Sequence, residues 1–208
     1  SKITGDKGEQ IRVYSDPSEL LREVSPDVVH VVTPPMTHYT LGALALKAGA
    51  HVYIEKPFTL KYSDAESLFT MADEKQLELC AGHQLLYEDP VKIAEEILPV
   101  IGNVIHIESY FSFRPVRRSV TFKEQLIDIL PHPIYLLVHF MEKCLGAQMQ
   151  VPLELRGCDV SSDGEVRALI SRGDMRCVLV VTLRGRPVES YLRIVGNNGS
   201  LYLDFVRG

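Results

Sequence analysis

The stretch from Asp27 to Pro57, DVVHVVTPPMTHYTLGALALKAGAHVYIEKP, decides the fold. Val28, Val29, His30, Val31 and Val32 form a nearly continuous β-branched run, the pattern of a strand covered on both faces of a parallel sheet. Thr37 to Ala48 follows with Leu41, Leu44, Ala45 and Ala48 at helical spacing, and Gly49 closes it in the C′ role. His51 to Glu55 reads as the next strand. Strand, helix and strand with short connections predict a β-α-β crossover.

Outward from this unit the alternation continues. Asp16-Pro17-Ser18-Glu19 opens a short helix with Leu20, Leu21 and Val24 on its buried side, and Ile11 to Tyr14 reads as a strand before it. Downstream, Ser63 takes the N-cap position, Glu66 completes a capping box, and Leu68, Met71 and Ala72 supply an apolar stripe. Leu77 to Ala81 makes a third strand. From about residue 150 the character changes: runs such as Val178 to Leu183 and Ser190 to Val195 are separated by Ser-Asp-Gly, Arg-Gly-Asp and Asn-Asn-Gly turns, which indicates antiparallel pairing. Helices are expected at Pro90 to Leu98 and Lys123 to Cys144, with a long strand, Val104 to Phe113, between them. The sequence therefore predicts a parallel β-α portion followed by an α+β portion with a largely antiparallel sheet.

Composition narrows the partners. The 208 residues allow one large domain or two small ones, and 46% hydrophobic with 24% charged residues is ordinary for a folded chain. Twenty-two basic against 27 acidic side chains leave a net charge of −5, so no global positive field favours nucleic acid or an anionic membrane, and a small molecule is the expected partner. Cys80, Cys144, Cys158 and Cys177 fit neither a metal motif nor a disulfide framework and are read as reduced, mostly buried thiols. No apolar run reaches the length of a membrane helix and SKITGDKGEQ is too polar for a signal peptide, which makes the cytoplasm the default location.

Ligands in open α/β sheets bind at the carboxyl ends of the parallel strands. Three such ends are unusual: Thr33-Pro34-Pro35, Glu55-Lys56-Pro57 and Gly82-His83-Gln84. Lys56 is suited to donate a proton or hydrogen-bond a substrate oxygen, against the plain alternative of a solvated loop lysine. Asp128 and His132, four residues apart, suit acid–base work, although Pro131 and Pro133 point to a turn leading into a helix rather than a helix interior. The alternative is a charge at a helix start beside a packed histidine. His139 lacks partners at metal-ligand spacing and reads as a core histidine; no metal site is expected. His38 is either a helix-start residue near a cofactor or a surface ring, and Arg114, Arg117 and Arg118 form a basic cluster best read as solvated. No G-x-G-x-x-G follows a strand anywhere in the sequence.

Together with AGHQLLYEDP at 81–90, DILPH at 128–132 and GNNGSLYLDF at 196–205, the opening stretch resembles the glucose-fructose oxidoreductase, inositol dehydrogenase and rhizopine catabolism family, Gfo/Idh/MocA. The resemblance implies an incomplete Rossmann dinucleotide-binding domain over residues 1–84 and a C-terminal α+β substrate and oligomerisation domain over 85–208. It implies an oxidoreductase that uses NAD or NADP on a sugar, cyclitol or related polyol and forms a homo-oligomer through the C-terminal sheet. Carried over by motif, Lys56, Asp128 and His132 are the catalytic residues, and Thr33, Pro34, His38, Glu55, Lys56 and Gln84 line the cofactor. Pro133 and Tyr135 depart from the usual residues after the D-x-x-x-H motif. Family members begin with a glycine-rich β-α-β unit and extend past the GSLYLDF strand, so this chain is expected to lack both and to bind NAD(P) weakly by itself. The rival expectation is a non-catalytic ligand-binding or oligomerisation module.

Overall fold

The computed structural model describes residues 11–114, 121–146 and 151–206. It divides into two compact units, Ser1–Gly82 and His83–Gly208, so that His83 and Gln84 belong to the second.

The first unit holds helix α1 (Pro17–Val24), strand β1 (Val28–Val31), helix α2 (His38–Lys47), strand β2 (His51–Ile54), helix α3 (Tyr62–Lys75) and strand β3 (Leu79–Ala81). Order β1-β2-β3 is parallel throughout, with Val29 opposite Val52 and Ile54 opposite Ala81. Asp16 caps α1 through the Ser18 N–H at 2.8 Å. Gly49, at φ 91°, releases α2 into β2 in a conformation that disfavours other residues. The core joins Leu21, Val31, Leu46, Val52, Ile54 and Leu68.

Three local expectations need correction. The β1 run is covered on one face only: Val31 is buried while Val28 and His30 are exposed, and His30 stacks on Tyr53 at 5.1 Å along the open side. Residues 11–14 form no strand, because none of the described strands pairs with them. Ser63 lies inside α3 rather than at its cap; Lys61 holds that position, and the Glu66 carboxylate turns instead to the Tyr62 hydroxyl, a bond that raises the Tyr62 pKa.

The second unit contains helix α4 (Asp89–Ile97), strand β4 (Val104–Ser112), helices α5 (Phe122–Ile129) and α6 (Pro131–Leu145), and strands β5 (Glu154–Val160), β6 (Glu165–Arg172), β7 (Met175–Thr182), β8 (Ser190–Gly196) and β9 (Ser200–Asp204). The sheet runs β5-β6-β7-β4-β8-β9, and only the β4–β7 pair is parallel. Helix α6 lays Leu136, Leu137, Phe140 and Met141, all fully buried, against Ile107, Phe111, Leu179 and Leu192. On the other face, Tyr110, Tyr191 and Tyr202 stack at 5.4 and 4.9 Å, beside half-buried Val178 and Val180.

The expected helix from Lys123 to Cys144 is two helices. Pro131 and Pro133 lack the N–H groups that would bond the carbonyls of Ile127 and Ile129, so the ladder breaks at Leu130. Helix α5 begins at a capping box that sequence reading passed over, Thr121 with Glu124, whose carboxylate accepts the Thr121 N–H at 2.8 Å. The Asn-Asn-Gly turn after β8 is more than a hairpin: Asn197 Oδ1 accepts the Asn103 N–H at 2.9 Å, and the Asn198 N–H donates to Ile101 at 2.9 Å, latching it to the start of β4.

Candidate functional site

In the first unit the candidate groups stand at carboxyl ends of β1, β2 and β3. After β1, Thr33 Oγ1 lies 2.6 Å from Thr37 Oγ1, which in turn bonds the Pro34 carbonyl at 2.8 Å. His38 is fully buried at the start of α2; Nδ1 is 2.9 Å from the Pro57 carbonyl and Nε2 is 2.7 Å from the Thr33 carbonyl. The ring ties the loop after β1 to the loop after β2, so any influence on a ligand runs through those loops. Thr33 and Pro34 are exposed, and Glu55 and Lys56 are half-buried. Gly82, at the end of β3, has no room for a side chain: a Cβ would meet the Glu55 carboxylate at 2.6 Å and the Tyr53 hydroxyl at 2.8 Å. Glycine is what lets β3 end against that carboxylate.

In the second unit His132 occupies the first turn of α6, half-buried, and Asp128 the last turn of α5, exposed. The two straddle the proline-marked junction. Asp128 thus sits at a helix C-terminus, where the dipole disfavours a carboxylate, and a helix-start charge does not explain it. His132 Nδ1 lies 2.8 Å from the Tyr135 hydroxyl, and the Leu85 N–H donates to that same hydroxyl at 3.2 Å. His83 stacks on the Tyr135 ring at 4.3 Å, and burial lowers the His83 pKa from its ordinary 6.5. Gln84 is exposed in the short 3-10 turn that follows. Sequence reading named Tyr135 only as a departure and His83 only as part of a strand end. Spacing three apart from His132 on a helix was the available signal for the tyrosine.

The remaining polar candidates resolve into structural roles. His139 Nε2 lies 2.5 Å from Glu95 Oε1, while the Lys143 ammonium bonds Glu95 Oε2 at 3.0 Å. Among the described residues no group of three His, Cys, Asp or Glu side chains is placed to hold a metal. All four cysteines are free thiols; Cys80 and Cys158 are exposed, against the expectation of mostly buried ones. Burial pushes the Cys144 thiol up to about 11 and Cys177 up to about 12, which removes both as thiolate nucleophiles near neutral pH. Arg114 is exposed; Arg117 and Arg118 lie outside the described residues.

A hydroxyl, a carboxylate and an ammonium at adjacent strand ends suit the ribose and carboxamide of a nicotinamide nucleotide. A pyrophosphate needs several free N–H groups at a glycine-rich helix start, and these 208 residues hold no G-x-G-x-x-G turn.

Residues 6–83 match a family model described as an oxidoreductase family with an NAD-binding Rossmann fold. The UDP-N-acetylglucosamine 3-dehydrogenase of Acidithiobacillus ferrooxidans is 44% identical over 151 residues, 73% of this chain and 44% of that protein. YdgJ, an uncharacterised oxidoreductase of Escherichia coli K12, is 28% identical over 200 residues, 91% of this chain and 57% of its own. The structure of GenD2 from gentamicin A biosynthesis in complex with NAD covers 95% of this chain and 60% of that one with a TM-score of 0.77 at 22% identity, a likeness of fold. The chain spans 32% to 57% of the length of the first curated relatives it matches.

Proposed function

We propose that the chain belongs to the Gfo/Idh/MocA oxidoreductase family and serves an NAD(P)-dependent dehydrogenase acting on a sugar, cyclitol or related polyol. The observation that carries this reading is the held imidazole of His132, one turn beyond Asp128, in a chain 44% identical over 151 residues to a nucleotide-sugar dehydrogenase. Thr33, Pro34, Glu55, Lys56 and Gln84 would hold the dinucleotide at its nicotinamide end, and His38 braces the first two of these loops. When bound, the nicotinamide supplies the acceptor for a hydride. The Lys56 ammonium hydrogen-bonds the substrate oxygen, and His132 accepts the hydroxyl proton as the carbinol carbon is oxidised. Asp128 supplies the negative charge that stabilises the imidazolium so formed.

We assign a second copy of this chain to the face of the six-stranded sheet that carries the tyrosine stack. Its support is the stack of Tyr110, Tyr191 and Tyr202 with half-buried Val178 and Val180 beside it on the same face. A cytoplasmic location is consistent with the four unpaired cysteines. No helix among the described residues is long and apolar enough to cross a membrane.

The test is turnover of UDP-N-acetylglucosamine and free sugars with NAD+ and with NADP+ by the natural polypeptide containing these residues. Lys56→Ala and His132→Ala are each expected to lower kcat/KM by on the order of a hundredfold or more. Unchanged turnover in both variants would show that these residues do not carry the reaction, and no turnover by the unaltered polypeptide would favour the non-catalytic module. Calorimetry on the 208 residues alone is expected to show no micromolar binding of either dinucleotide, since the pyrophosphate-binding turn is not among them.

A further inference from the structure

We propose that Tyr135 is a positioning residue for His132: its hydroxyl accepts the imidazole Nδ1–H and thereby commits Nε2 to proton exchange with the substrate. The inference rests on the reading of His132 as the base, and it adds a residue that the motif resemblance does not supply.

The phenol is fixed independently of any ligand. Tyr135 is only 7% exposed, its ring lies under the His83 imidazole at 4.3 Å with 23° between the planes, and its oxygen accepts the Leu85 N–H. Those anchors come from 50 residues upstream, so the position of the hydroxyl is set by the tertiary fold and not by α6 alone. His132 precedes Tyr135 by three residues on α6, which puts both on one face, and the 2.8 Å contact joins Nδ1 to this fixed oxygen. The rings meet edge-on, 5.7 Å apart at 70°, so the phenol also limits rotation of the imidazole.

A base must carry its lone pair on the nitrogen that meets the substrate. If Nδ1 is engaged by Tyr135, that nitrogen is Nε2, and the neutral ring must hold its proton on Nδ1 and donate it to the tyrosine oxygen. After the substrate O–H bond breaks and an Nε2–H bond forms, the imidazolium still donates Nδ1–H to the same oxygen. The contact therefore serves both protonation states without rearrangement. A neutral hydroxyl at Nδ1 fixes the tautomer without adding a second negative charge to that of Asp128.

The test uses the 15N-labelled chain and the two-bond proton–nitrogen correlations of the His132 ring, identified by their loss in His132→Asn. The expected spectrum of the neutral ring has a pyrrole-like Nδ1 and a pyridine-like Nε2, the reverse of the tautomer that predominates in free histidine. Tyr135→Phe, which keeps the ring and its stacking on His83, is expected to return the spectrum toward the free-histidine pattern. In the natural polypeptide the same variant is expected to lower kcat about tenfold with little change in KM, the loss of one hydrogen bond. A neutral His132 protonated on Nε2, or an unchanged spectrum in Tyr135→Phe, overturns the proposal. If the spectrum follows expectation but His132→Asn turns over normally, the base reading falls and takes the catalytic role of Tyr135 with it. The two failures are told apart because the spectrum reports the contact and the kinetics report the reaction.

Discussion

The two units hold their polar groups by different means. In the three-stranded unit, Thr33, Glu55 and Lys56 stand on loops at strand ends, and what fixes those loops is backbone: a buried His38 between two carbonyls, and a glycine that lets Glu55 and Tyr53 close over β3. In the six-stranded unit, His132 stands on a helix whose next turns are core, and what fixes it is a side chain, Tyr135, pinned by another peptide and another ring. Loops on rigid strands can shift with a ligand; a group on a packed helix turn is set before the ligand arrives.

The sharpest way to break this comparison is through the cores. Phe140, fully buried on α6, and Leu46, fully buried on α2, belong to separate clusters. Phe140→Ala is expected to cost about 3–5 kcal/mol and Leu46→Ala about 2–5 kcal/mol. If the units are independent, hydrogen exchange will accelerate in the six-stranded unit alone for the first and in the three-stranded unit alone for the second. Protection lost across both units from either change would mean one cooperative core.

A weaker perturbation tests the tyrosine face. Val180→Glu sets a charge beside Tyr110, its partner on β4, and is expected to convert an oligomer to a monomer in light scattering while circular dichroism stays unchanged. A wild-type chain that is monomeric at high concentration would remove the second copy from the proposal.

The smallest expected effect is acid sensitivity at His83. Burial lowers its pKa, so in acid the unfolded chain takes up a proton that the folded chain refuses. Stability is therefore unaffected above the ordinary histidine pKa of 6.5 and falls as pH drops below it. Urea midpoints measured on either side of that value will show a smaller drop in His83→Gln than in the wild type. An equal drop would assign the acid sensitivity elsewhere.

Much of the fold was legible because its signals are local. The β-branched run at Val28, the Gly49 stop and Asp16 before Pro17 each act through neighbours within a few residues. Where reading failed, a competing contact decided: Glu66 turned to Tyr62 instead of capping at Ser63, and two missing N–H groups cut one expected helix into α5 and α6. The site divided in the same way. Lys56, Asp128 and His132 are legible only as candidates, from residue type and motif spacing, whereas the bracing contacts of His38 are not legible, because its partners are carbonyls that every residue carries.

The sequence by itself determined the order of elements and the parallel and largely antiparallel portions, since these follow from periodicity and turn chemistry. Only the tertiary structure decided which groups meet: β4 beside β7 and β8, whose paired residues lie 70 to 92 positions away in the chain, and the Leu85 peptide and His83 ring around Tyr135. Such meetings depend on strand register and on the packing of α6, which no local pattern encodes, and they fix the geometry in which His132 is held.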